Sequence, residues 1–277
     1  MTRSVVTPLL MALAMMALTS SAPAAPVAPA QRFETAYAEL LRTYWRPSVT
    51  IHGISTTVFD YAQMAEDHAR PSSPFARAAQ SLVLVDPARL SGDSEKAFWI
   101  NAYNYGAMRL VVDHYPVDSI RSFKISLIKY PWSKDAVEIN GKTYTLNQIE
   151  KEILLPKFGD VRILFAVSCA AVSCPDRTAA PFTAAGVDEQ LDAMVRIFLT
   201  NPQKGMHADW DNKTVTLAWI LKKDAHLFND TERGLIEFVS RYVPERVKSL
   251  LTGPDTTLQY FDHDWTLNDL HQADEHL

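Results

Sequence analysis

The stretch Asp93–Pro116, DSEKAFWINAYNYGAMRLVVDHYP, sets how the rest of the chain must be arranged. Asp93 or Ser94 can cap a helix, Glu95 suits its first turn, and Pro116 stops it. Projected at about 100° per residue, its apolar side chains point nearly all the way round. Such a helix is buried on most sides, so other elements must surround it. Asn101 and Asn104 stand out as two amides about 60° apart on one of its faces.

The surrounding elements can be read outward from there. RFETAYAELLRTYW (Arg32–Trp45) has helical apolar spacing and is stopped by Pro47. In AVEINGKTYTLNQIEKEILL (Ala136–Leu155), Asn140-Gly141 between alternating runs predicts a type I′ hairpin. Thr145 and Gln148 have capping-box spacing, so a helix carrying Glu150 should follow. The β-branched and aromatic run VRILFAVSC (Val161–Cys169) predicts a strand covered on both faces. Further helices are expected over Asp188–Asn201 and Glu232–Val243, with a short strand in KTVTLAW (Lys213–Trp219).

Without regular strand–helix alternation, the fold class is α+β. One mixed domain is expected over 32–252, a small sheet (the hairpin plus a buried central strand) packed by several helices. A polar tail follows from 253 to 277.

Met1–Ala25 has one early positive charge, an apolar stretch and small residues around Ala22 and Ala24, the layout of a secretory signal peptide. Residues 26–31 read as a short Ala/Pro linker. No later stretch reaches the roughly 18 apolar residues of a spanning helix. The mature chain is therefore expected to be exported, periplasmic or secreted, without an integral membrane segment. A net charge of −5 with no basic stripe argues against nucleic acid as partner. A small molecule, peptide or protein partner is left open, and no cofactor is expected.

Three segments together resemble the domain of unknown function 547 family: FWINAYN (Phe98–Asn104), GKTYTLNQIEKEIL (Gly141–Leu154) and VRILFAVSCAAVSCP (Val161–Pro175). The likeness extends over about 94–243. Asn101, Asn104, Glu150, Arg162 and Cys169 fall on matched positions, and Asp224 fits an acidic position after the later strand. Lys151 stands where members often have His, Leu155 where they often have Arg, and Ala225 where they often have an aromatic residue. The resemblance implies an architecture more than an activity, with a lead toward cysteine-peptidase-type folds.

The chemistry centres on the two cysteines of the chain, Cys169 and Cys174. In an exported chain they can form a disulfide, whose small loop stabilises by only about 2 kcal/mol. Alternatively Cys169 is a nucleophile, with Glu150, Asn101 and Asn104 converging as acid or amide donors. That reading needs a general base, and His52, His114, His207 and His226 are all open. Free buried thiols are a third possibility. No metal site is expected, because no histidine lies near either cysteine in sequence. DHDW (Asp262–Trp265) could hold a metal, but an isolated tail cluster reads as solvated.

Asn101, Asn104 and Glu150 also have plain structural readings, as donors to loop carbonyls and as a first-turn helix acid. Arg162 within an apolar run must find a partner, with Glu150 or Asp176 the expected one. The sequence thus points first to a non-catalytic binding or interaction module, with a cysteine-dependent, peptidase-like amide hydrolase as the alternative.

Overall fold

The computed structural model describes residues 28–128 and 130–274. The signal-peptide reading of 1–25 lies outside them. The chain begins with α1 (Pro29–Tyr44), a hairpin of β1 (Trp45–Ile51) and β2 (Ile54–Phe59), α2 (Tyr61–His68), α3 (Pro74–Val83) and α4 (Gly92–Val112). A second hairpin follows, β3 (Asp135–Ile139) and β4 (Lys142–Thr145). A π-helical stretch, Gln148–Leu154, runs into α5 (Leu155–Phe158), and a 3₁₀ stretch covers Val161–Phe165. Then come α6 (Val187–Leu199), β5 (Met206–Asp209), β6 (Thr214–Leu217), α7 (Trp219–Lys223), α8 (Glu232–Val239), α9 (Glu245–Leu251) and β7 (Thr257–Tyr260). The fold is α+β.

Helix α4 is buried almost throughout, as its all-round apolar pattern requires. It starts at Gly92 with Ser91 as N-cap, slightly before the expected cap. The β3–β4 hairpin lies so close to it that a Cβ on Gly106 would sit 3.1 Å from a Val137 methyl and 3.2 Å from Ala136. Asn140 and Gly141 take φ of 50° and 72°, as a type I′ turn demands. The Thr145–Gln148 box forms in both directions: Gln148 N–H donates to Thr145 Oγ1 at 3.1 Å, and Thr145 N–H to Gln148 Oε1 at 3.0 Å. At the N-terminal end, Pro29 opens α1, so the last residues of the expected linker form its first turn.

The expected central strand is not formed. Val161–Cys169 is not a central strand, and among the described residues the hairpin has no such partner. Val161–Phe165 is a 3₁₀ turn entered through Asp160, whose carboxylate accepts from Arg162 N–H at 3.1 Å. Phe165 packs on Phe198 of α6 and Phe238 of α8. A continuous apolar run reports burial, not backbone conformation, and the burial is what holds here. Among the described residues the strands form three small sheets instead: β1–β2, β3–β4, and β5–β6–β7 with β7 parallel to β6. Strand β7 thus draws part of the expected polar tail, 253–277, into a sheet. No described helix is long and apolar enough to cross a membrane.

The expected ion pair of Arg162 is also redirected. Its guanidinium reaches Asp160, Asp188 and Asp192 at 2.6–2.9 Å near the surface, not Glu150 or Asp176. Asp176 instead meets Lys204 Nζ at 2.9 Å, and the Lys204 side chain has no solvent exposure. Asp176 also accepts from Thr57 N–H of β2 at 2.8 Å, tying the end of the cysteine segment to the first hairpin. Replacing Asp176 by Ala strands the ammonium among buried groups. A loss of about 3–5 kcal/mol in urea unfolding is expected; a loss below about 1 kcal/mol contradicts a buried charge pair.

Candidate functional site

Asn104 explains how an irregular segment can be buried beside α4. Its side-chain amide donates to Ala166 C=O at 2.8 Å and its carbonyl accepts from Ser168 N–H at 3.0 Å. The Arg177 guanidinium, itself buried, donates to Asn104 C=O at 2.9 Å and Ser168 C=O at 3.1 Å. Asn101 does the same for Phe182, bonding both its C=O and its N–H. These bonds stand in for the ladder that a strand would have supplied.

So fixed, the segment delivers Cys169 and Cys174 to the wall of a cavity of ≈ 500 Å³. The two sulfurs lie at disulfide-bonding distance, with Cα atoms 6.1 Å apart. Glu150 reaches the same cavity from the π-helical stretch, and Asp224 reaches it from the end of α7. Asn101 and Asn104 do not line it. Of the four residues proposed from sequence to converge, Cys169 and Glu150 face the cavity, Asn104 braces the lining segment from behind, and Asn101 holds Phe182, which is not part of the lining.

A floor of aromatic rings completes the cavity. Trp265 lies edge-on to both Trp132 (5.6 Å) and Trp219 (5.7 Å), and the His263 ring sits 4.1 Å from Trp265 and 5.0 Å from Trp219. Trp265 and His263 belong to the tail cluster read from sequence as solvated, and they are part of the cavity lining. The four histidines weighed as bases are not among the lining residues. His52, for one, meets Asp264 at an exposed position.

The charges are mixed. Asp224 is buried, 3.1 Å from Lys223 Nζ and 3.9 Å from Lys151 Nζ, so the lysine in the position where the resemblance expects His serves an ion pair. Burial pushes the Glu150 carboxyl above its ordinary value of 4.5, against the pull of Lys223 and Lys151. Burial and the neighbouring Glu150 charge raise the Tyr103 phenol well above its ordinary value. Burial also lowers His263 to about 4, helped by Lys223, Arg121 and Lys204, so its imidazole is neutral at pH 7.

Residues 87–199 match the family model described as protein of unknown function, DUF547. The chain carries a DUF547 region. That region supplies α4, the second hairpin, Glu150 and both cysteines. Trp219, Asp224, His263 and Trp265 lie beyond it. No curated protein and no solved structure matches the chain.

The Glu150 environment gives a pH signature. Because the folded pKa lies above the unfolded one, this carboxyl contributes stability below the unfolded value, roughly pH 4.3. The contribution is lost as pH rises through the folded value. Glu150→Gln keeps the shape of the side chain and removes the titration. The variant is expected to match the parent in thermal midpoint near pH 4 and to exceed it at pH 7–8. A difference independent of pH rules out this assignment.

Proposed function

We propose that this chain is an exported, non-catalytic binding module of the DUF547 family, and that its cleft takes a small polar ligand with a ring face, of the saccharide class. The observation that carries this is the aromatic surface of Trp132, Trp219 and Trp265 in a lining that also holds the buried Glu150 and the more accessible Asp262, Asn147 and Lys223. Indole faces accept the C–H side of a ring, while carboxylates and amides bond hydroxyls at its edge. Neither sulfur is free, so the wall presents a closed bond to that ligand and no nucleophile. Export rests on the Met1–Ala25 layout.

The amide-hydrolase reading has one observation in its favour: His263 Nε2 lies 3.8 Å from Cys174 Sγ, and its reactive atom and both sulfurs fall within 4.8 Å of one another. Two features rank it second. Both sulfurs are bonded, and an imidazole held near 4 is a weak base at neutral pH.

Titration of the unreduced chain with neutral and amino-sugar oligosaccharides, followed by tryptophan fluorescence, tests the binding reading. Saturable quenching is expected, with Trp219→Ala weakening it about tenfold, ~1.4 kcal/mol, while near-UV circular dichroism elsewhere is retained. Absence of saturable binding across the panel defeats the saccharide assignment. Cleavage of amide substrates by the unreduced chain restores the hydrolase.

A further inference from the structure

The geometry points to a thiol-dependent transition-metal site in the cleft wall, in which Cys169, Cys174 and His263 bind a zinc-class divalent cation once the disulfide is reduced. It goes beyond the ligand-binding reading and does not rest on it.

The donor set is the first reason. A ring nitrogen of His263 and the two sulfurs all lie within 4.8 Å of one another, with Nε2 3.8 Å from Cys174 Sγ. Around tetrahedral zinc, bonds of about 2.3 Å to sulfur and about 2.0 Å to nitrogen put S and N about 3.5 Å apart and the two sulfurs about 3.8 Å apart. The imidazole is therefore nearly in place relative to Cys174, and the change required is parting of the sulfurs with Cys169 Sγ settling at bonding geometry to the same ion. Both cysteines sit on a short loop, Cys169–Cys174, whose Cα atoms are 6.1 Å apart, so side-chain rotation accommodates the change.

The second reason is independent of the sulfurs. The loop and the tail are joined by bonds that survive reduction. Val172 N–H donates to Thr266 C=O at 2.8 Å, Asn268 N–H to Ala170 C=O at 3.0 Å, and Asp264 N–H to Ser173 Oγ at 2.9 Å. Ala171 and Leu267 form an isolated antiparallel bridge. Opening the disulfide thus leaves His263 facing both thiols. With three protein ligands on a cavity wall, the fourth position opens into the cavity, as in zinc sites that keep water or a substrate.

The chemistry balances with a dithiol as reductant. Two electrons and two protons pass from the dithiol to the Cys169–Cys174 bond, leaving two thiols and an oxidised, cyclised reductant. Metal entry then releases two protons as the thiols become thiolates, and the imidazole donates a lone pair without losing a proton.

Cobalt(II) added to the intact chain after reduction and anaerobic desalting is the direct test. One cobalt per chain is expected, with sulfur-to-cobalt charge-transfer absorption that zinc(II) abolishes; the unreduced chain should show neither. Loss of a second-sphere partner already costs about tenfold in affinity, so His263→Gln should weaken cobalt binding by at least that. His263→Cys, which supplies another donor, should retain it. Cys174→Ser should remove most of the charge-transfer band. Failure of the reduced parent to develop that band, or cobalt affinity in His263→Gln equal to the parent's, overturns the site. Neither result bears on saccharide binding by the oxidised chain.

Discussion

The bidentate grip of Asn104 on residues 166–168 is the interaction on which the rest of the cleft depends. A backbone segment buried beside a helix must satisfy its N–H and C=O groups, and this one has no strand alongside among the described residues to do it. Asn104 bonds Ala166 and Ser168, and Arg177 bonds Ser168 and the Asn104 carbonyl, so helix, segment and returning chain are joined at one buried point. Each of these groups is desolvated, and leaving any one unpaired costs about 1–3 kcal/mol. The position of both sulfurs follows from that arrangement.

The tail contributes the other half of the cleft. Strand β7 pairs with β6, and the chain then passes along the cysteine loop, exchanging main-chain bonds at Val172 and Asn268. This path sets Trp265 and His263 against Trp219. The cavity is thus assembled from α4, the π-helical stretch, the cysteine segment, α7 and the tail, with Glu150 and Asp224 as its buried acids.

Much of this was legible in the sequence where local rules are strong. The central helix, the Asn140-Gly141 hairpin, the Thr145–Gln148 box and the amphipathic helix at 187–199 all follow from periodicity and turn chemistry. Val161–Phe165 misleads because apolarity signals burial, and the deciding groups, Asn104 and Arg177, lie elsewhere in the chain. Arg162 misleads for a related reason: three aspartates converge on it at the surface, two of them from α6. His263 could not be found by spacing, since 89 residues separate it from Cys174. The available signal was DHDW, in which His263 and Trp265 alternate with Asp262 and Asp264, and only the β6–β7 pairing shows where that cluster goes.

The central claim is that hydrogen bonding, and not the Cys169–Cys174 bond, holds the cleft wall in place. Amide hydrogen exchange at Ser168, Val172 and Asn268, measured before and after reduction, examines it most directly. Protection at all three should persist within about threefold when the sulfurs are reduced, a change below ~0.7 kcal/mol. Collapse of that protection to the level of exposed loops would show that the disulfide itself carries the wall.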